Sequence, residues 1–147
     1  MIKSIIEQEA AHYYQSGYNC AESVSRTIIE HFSATKNLDF LKVASLFGGG
    51  IGSSHEEHCG AFSGGIIAIS YLLGRTDPVT NIDLAKEIAV EYRKDFIKQF
   101  GTLHCQTLLD EFGPQENSEK CQELTGQATG LLVDLLADYD IHPLQSR

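Results

Sequence analysis

The stretch from Asp83 to Phe100 most constrains what this chain can fold into. Ala85, Ile88, Ala89, Tyr92, Phe96 and Phe100 recur at intervals of three and four, while Lys86, Glu87, Arg93 and Lys94 fill the opposite side. That spacing puts the apolar set on one face of an α-helix. Gly101 follows as a stop. The same period runs through the rest of the chain. Ile2, Ile5, Ile6, Glu9, Ala10 and Tyr13 share a face of a helix predicted over Lys3–Gln15, which Gly17 ends. Asn19 with Glu22 three residues later is a capping-box pattern. It predicts a helix from Cys20 to Phe32 that buries Ala21, Val24, Ile28 and Phe32.

A short helix fits Asp39–Phe47. Cys59–Leu73 is apolar on nearly every side, which suits a central buried helix. Gly74 ends it, and Thr76-Asp77-Pro78 makes a turn. A shorter helix spans Leu103–Phe112, closed by Gly113-Pro114. The last, capped by Ser118, reaches Tyr139 with Leu124, Leu131, Leu135 and Tyr139 inward. Alternating Val/Ile/Thr runs are absent. The expectation is an all-α, single-domain bundle over residues 1–147, with one glycine-rich loop, Phe47-Gly48-Gly49-Gly50-Ile51-Gly52-Ser53-Ser54, before the central helix.

Composition excludes several functions. With 147 residues, 42% hydrophobic and 21% charged, the chain can build a core without staples, and long disorder is not expected. Eleven Lys and Arg against twenty Asp and Glu leave a net charge of −9, which would repel nucleic acid. The longest apolar run, Ile66–Leu73, is far short of the ~20 residues of a membrane helix. Met1–Glu7 lacks the features of a signal peptide. A cytoplasmic location follows as the expectation, and there the four cysteines would not form structural disulfides.

Their positions carry more than their number. Cys20 follows the cap Asn19. Cys59 opens the central helix. Cys105 lies three residues past Thr102, a candidate cap, and Cys121 three past Ser118. All four fall in a predicted first helical turn, where unpaired amides and the positive end of the helix dipole favour negative charge. A thiol there should shift towards thiolate, the form that ligates metals and exchanges disulfides. Gly60, Gly64 and Gly65 each cost about 1 kcal/mol against Ala inside the central helix. Close approach of another backbone would compensate, and the small face formed by Gly126 and Gly130 is a candidate partner for Gly60 and Gly64.

Gly17-Tyr18-Asn19-Cys20-Ala21-Glu22, the glycine run, Cys59-Gly60-Ala61-Phe62-Ser63-Gly64, and single Cys105 and Cys121 resemble, in order, the redox-active family named for its C_GCAxxG_C_C cysteine pattern. The resemblance implies a small bacterial or archaeal α-helical protein with a thiol or iron–sulfur role, carried by Cys20, Cys59, Cys105 and Cys121. A similar domain occurs in split-Soret cytochromes, where it is associated with an iron–sulfur cluster. This chain has no Cys-x-x-Cys-His, so no haem attachment is expected.

Three readings remain open at this stage. An iron–sulfur cluster for electron transfer would need all four thiolates, assembled only by the tertiary fold. Cys59 would be the key position, with Gly49 and Gly50 letting the backbone pass close to the cofactor. A thiol–disulfide protein without metal would use the same residues, with the pairing undetermined and no Cys-x-x-Cys. The third is a non-catalytic partner-binding protein or structural zinc, the latter disfavoured because paired Cys-x₂₋₄-Cys ligands are missing. The glycine loop lacks the Gly-Lys-Ser/Thr ending of a P-loop, so no nucleotide is expected. His55-Glu56-Glu57-His58 reads as a solvated loop rather than a metal site, and His12, His31, His104 and His142 as surface residues. The sequence marks no general acid or base. The partner expected is an unidentified redox protein, without nucleic acid or membrane insertion, and self-association is left open.

Overall fold

The computed structural model describes residues 1–35 and 37–144, and their regular structure is entirely helical. In order these are α1 (Ile2–Gln15), α2 (Cys20–Phe32), α3 (Phe40–Ala44), α4 (Gly60–Leu73), α5 (Asp83–Phe100), α6 (Cys105–Phe112) and α7 (Glu119–Asp138). The all-α expectation holds. Among the described residues the only bridge of β type is an isolated one, between His58 and His104.

Helix α2 lies along α4, and α1 along α7; α7 also meets α2, α4 and α5. The predicted inner face of α2, Ala21, Val24, Ile28 and Phe32, is buried. Ala85, Ile88, Tyr92 and Phe96 do the same for α5. Phe62 stacks on Tyr92, their centroids 5.6 Å apart and planes 9° from parallel. Burying an aromatic or aliphatic side chain of this size contributes roughly 1.5–3 kcal/mol each, so this seam is a main source of cohesion.

The α2–α4 contact explains a glycine. A methyl group at Gly64 would sit 2.5 Å from the Ala21 carbonyl oxygen and 2.9 Å from its Cα, so the two backbones touch where no side chain fits. The expected pairing of Gly60 and Gly64 with Gly126 and Gly130 does not occur. Gly126 and Gly130 face Glu7 of α1 instead, because α7 packs most extensively on α1.

Three further expectations change. Only Ile6 and Ala10 of α1 are buried, while Ile2 and Ile5 stay open to solvent, because α1 lies at the edge of the bundle. Helix α3 stops at Ala44 rather than Phe47. The Ser45 carbonyl accepts 2.8 Å from Asn19 Nδ2, and the chain then enters a chain of turns. Helix α6 starts at Cys105 rather than Leu103, capped by His104 and not Thr102.

Candidate functional site

Four helix starts build the site. At α2 the capping box is complete: Asn19 Oδ1 accepts from the Glu22 amide at 2.8 Å, and Glu22 Oε1 accepts from the Asn19 amide at 3.0 Å. Cys20 is therefore locked as the first helical residue. Its sulfur occupies the space that a side chain at Gly60 would need, and Gly48 Cα and the Phe47 carbonyl oxygen would each lie 3.0 Å from such a side chain. Gly60 is thus a site residue that happens to sit in a helix.

Cys59 is the cap of α4 rather than its first residue. It is joined to the start of α6 by a short backbone ladder. The Cys59 amide donates to the Leu103 carbonyl at 2.6 Å, the Cys105 amide to Glu57 at 3.0 Å, and the Gln106 amide to His55 at 3.0 Å. His104 fixes the ladder's end. Its Nε2 lies 3.0 Å from the Glu56 carbonyl oxygen, which can only accept, so the proton is on Nε2. Its Nδ1 is left to accept from the Thr107 amide at 3.3 Å, capping α6. His104, expected at the surface, is half-buried and structural.

The glycine loop is a left-handed turn. Gly49, Gly50, Ile51, Gly52 and Ser53 have φ of 61°, 68°, 71°, 59° and 58°, and His55 follows at 64°. Non-glycine residues held there cost ~1–2 kcal/mol each, so the surroundings must enforce the shape. The His55 amide bonds to the Gly49 carbonyl at 2.8 Å and the Glu57 amide to that of Gly50 at 3.2 Å. A side chain at Gly50 would meet Cys105 Cβ at 2.7 Å and His55 Cα at 2.9 Å. The loop is wedged against Cys105.

Cys121 is the third residue of α7. Ser118 stands at the cap position but is left-handed, with φ 54°, and its side chain makes no capping bond. Gln115 replaces it: its Oε1 accepts from the Lys120 amide at 2.9 Å and the Cys121 amide at 3.0 Å.

All four cysteines line one cavity of about 430 Å³, with Gly49, Gly60, Tyr14, His55, Leu108 and Leu124 among its other walls. All four are free thiols. Among the described residues no Lys or Arg lines this cavity. Desolvation dominates its electrostatics. Burial raises the Cys20 thiol pKa, against the amides of Gly49, Ala21 and Cys20, which favour the thiolate, while nearby Cys121 adds to the rise. Burial pushes Cys59 well above the ordinary thiol range, with nearby Cys20 adding to the rise and the Ala61 and Phe62 amides opposing it. Cys105 is pushed up to about 11 by burial, then by Cys20 and Cys121. The expected shift towards thiolate is therefore reversed at these three. Helix-start amides are present, but removal from water outweighs them.

Two neighbours were not expected. His55, read from sequence as part of a solvated loop, is half-buried against the cavity. Its place follows from the left-handed turn, which no sequence rule for His-Glu-Glu-His anticipates. Tyr14 lines the cavity from the last turn of α1, off the apolar stripe, and burial pushes its phenol up to about 12, with Cys121 contributing. Among the described residues no group of three His, Cys, Asp or Glu side chains is placed to hold a single metal ion.

The family described as "Putative redox-active protein (C_GCAxxG_C_C)" matches residues 18–135, a span that includes all four cysteines. No curated protein and no solved structure matches the chain. With well over half of its length matched and its cysteines gathered at one cavity, the chain belongs to this redox-active, four-cysteine family.

Proposed function

We propose that the protein is an electron-transfer module in which Cys20, Cys59, Cys105 and Cys121 hold an iron–sulfur cluster, working in the cytoplasm with a separate redox protein. The observation that carries this reading is the gathering of four sulfurs, from four helix starts far apart in sequence, around one cavity. The donor set fits. Four thiolates are the usual complement of a 2Fe–2S or 4Fe–4S centre. One zinc ion would need all its sulfurs about 2.3 Å from a single point. No three ligating groups among the described residues are placed for that, which counts against structural zinc.

When bound, the cluster supplies one-electron exchange. The chain's own residues supply the rest. Amides of Gly49, Ala21, Ala61 and Phe62 offset negative charge on Cys20 and Cys59. Gly50 and Gly60 leave room for Cys105 and Cys20. Leu108 and Leu124 keep the walls apolar. Thiol–disulfide exchange is the second reading: the same four free thiols line one cavity, and burial of Cys20, Cys59 and Cys105 opposes the thiolate that attack and ligation both require.

Anaerobic purification tests the proposal. Visible absorbance with stoichiometric iron and sulfide is the expected result, and Cys59→Ser should abolish it. A colourless, iron-free protein that also fails chemical reconstitution overturns the cluster. Reversible loss of thiols on mild oxidation of that same protein would then move the assignment to disulfide chemistry.

A further inference from the structure

The first turn of α7 leaves amides that need acceptors, and Cys121 lies within it. Because Ser118 is left-handed and makes no capping bond, the acceptor comes from Gln115, in the loop that follows Gly113-Pro114. The orientation of the Gln115 carboxamide is decided by its partners. Two backbone N–H groups, of Lys120 and Cys121, converge on one of its atoms at 2.9 and 3.0 Å. Only an oxygen can accept both, so the NH₂ is forced to the other side. There it lies 3.4 Å from Cys121 Sγ, within reach of a donated hydrogen bond to sulfur. The amides acting on Cys20 and Cys59 belong to the backbone and cannot be replaced. Gln115 is a side chain, and it is half-buried.

We propose that Gln115 is a positioning residue of the cysteine site: its oxygen fixes the backbone at Cys121 while its NH₂ donates to that cysteine's sulfur. This deepens the cluster reading and rests on it for one of its two measurements. A donor to a ligand sulfur stabilises the more negative, reduced state, so it raises the reduction potential. No motif marks Gln115, because only the fold turns its two ends towards an amide pair and a sulfur.

The experiment compares wild type with Gln115→Met, which loses both ends of the carboxamide, and Gln115→Glu, which keeps the two acceptor bonds but has no NH₂. After anaerobic reconstitution both midpoint potentials should fall below that of wild type. An unchanged potential in Gln115→Met overturns the proposal. Should that variant fail to fold, Gln115→Glu decides. An unchanged or raised potential in that variant overturns the proposal. Should wild type take up no iron, the cluster reading fails alone, and Gln115 is tested on the metal-free protein. Exchange of the Lys120 and Cys121 amides, followed by NMR, should then quicken severalfold in Gln115→Met with the first turn of α2 unchanged. Equal exchange at those two amides overturns the proposal.

Discussion

Replacing Gly50 and Gly52 separately by Ala separates two costs that the glycine loop combines. Both residues are left-handed, with φ of 68° and 59°. Forcing Ala into that region costs ~1–2 kcal/mol at either position. The surroundings differ. A new Cβ at Gly52 meets nothing within 4 Å, whereas one at Gly50 meets Cys105 Cβ at 2.7 Å and His55 Cα and C at 2.9 and 3.0 Å. Two of those three atoms are backbone and cannot swing away, so overpacking adds ~1–3 kcal/mol. Gly52→Ala should therefore lose about 1–2 kcal/mol and Gly50→Ala about 2–5 kcal/mol. The gap corresponds to roughly 5- to 150-fold in the unfolding constant. Urea titration of the metal-free, reduced proteins measures it, with the linear slope checked for constancy. Iron uptake gives a second readout: Gly50→Ala should impair it and Gly52→Ala should not. Equal stability losses, or equal iron uptake, would refute the claim that the loop is shaped to fit Cys105.

Three other outcomes follow from the same geometry. Helix propensity favours Gly64→Ala by about 1 kcal/mol, yet the Ala21 carbonyl oxygen would lie 2.5 Å from the new Cβ; thermal denaturation should show net destabilisation, and a stabilised variant would disprove the α2–α4 backbone contact. Asn19→Ala removes the acceptor for the Glu22 amide and the donor to Ser45, so it should cost about 1–2 kcal/mol in urea and loosen the glycine loop, seen as faster amide exchange. In the metal-free protein the Cys105 thiol titrates near 11 instead of the ordinary 9, so its alkylation rate should climb until about pH 11. The unfolded chain loses that proton first, so the contribution to stability is flat below about pH 9 and falls as pH rises to 11; a rate that levels off by pH 9 would contradict the burial argument.

Much of the helical framework is legible from residue order because its causes are local. The spacing of Ala85, Ile88, Tyr92 and Phe96 is a property of one helix, and the same residues are buried in the fold. The Asn19–Glu22 capping box closes as the pattern predicts, since both partners lie within one turn. Placing the cysteines in first helical turns succeeds for Cys20, Cys105 and Cys121, whereas Cys59 is the cap just before α4. The cysteine pattern further identifies the family.

What the local signals could not carry is how those helix ends meet. Gathering Cys20, Cys59, Cys105 and Cys121 at one cavity depends on the packing of α2 with α4, the ladder between Cys59 and Leu103, and the Gln115 cap on α7, all contacts between distant segments. The partners of Gly126 and Gly130 are decided the same way. Thiol acidity is the sharpest case. From residue order only the helix-start amides can be inferred, and they favour thiolate. Burial at Cys59 and Cys105 raises the pKa instead, because desolvation depends on every neighbour the folded chain brings near, and that sum exists only in three dimensions.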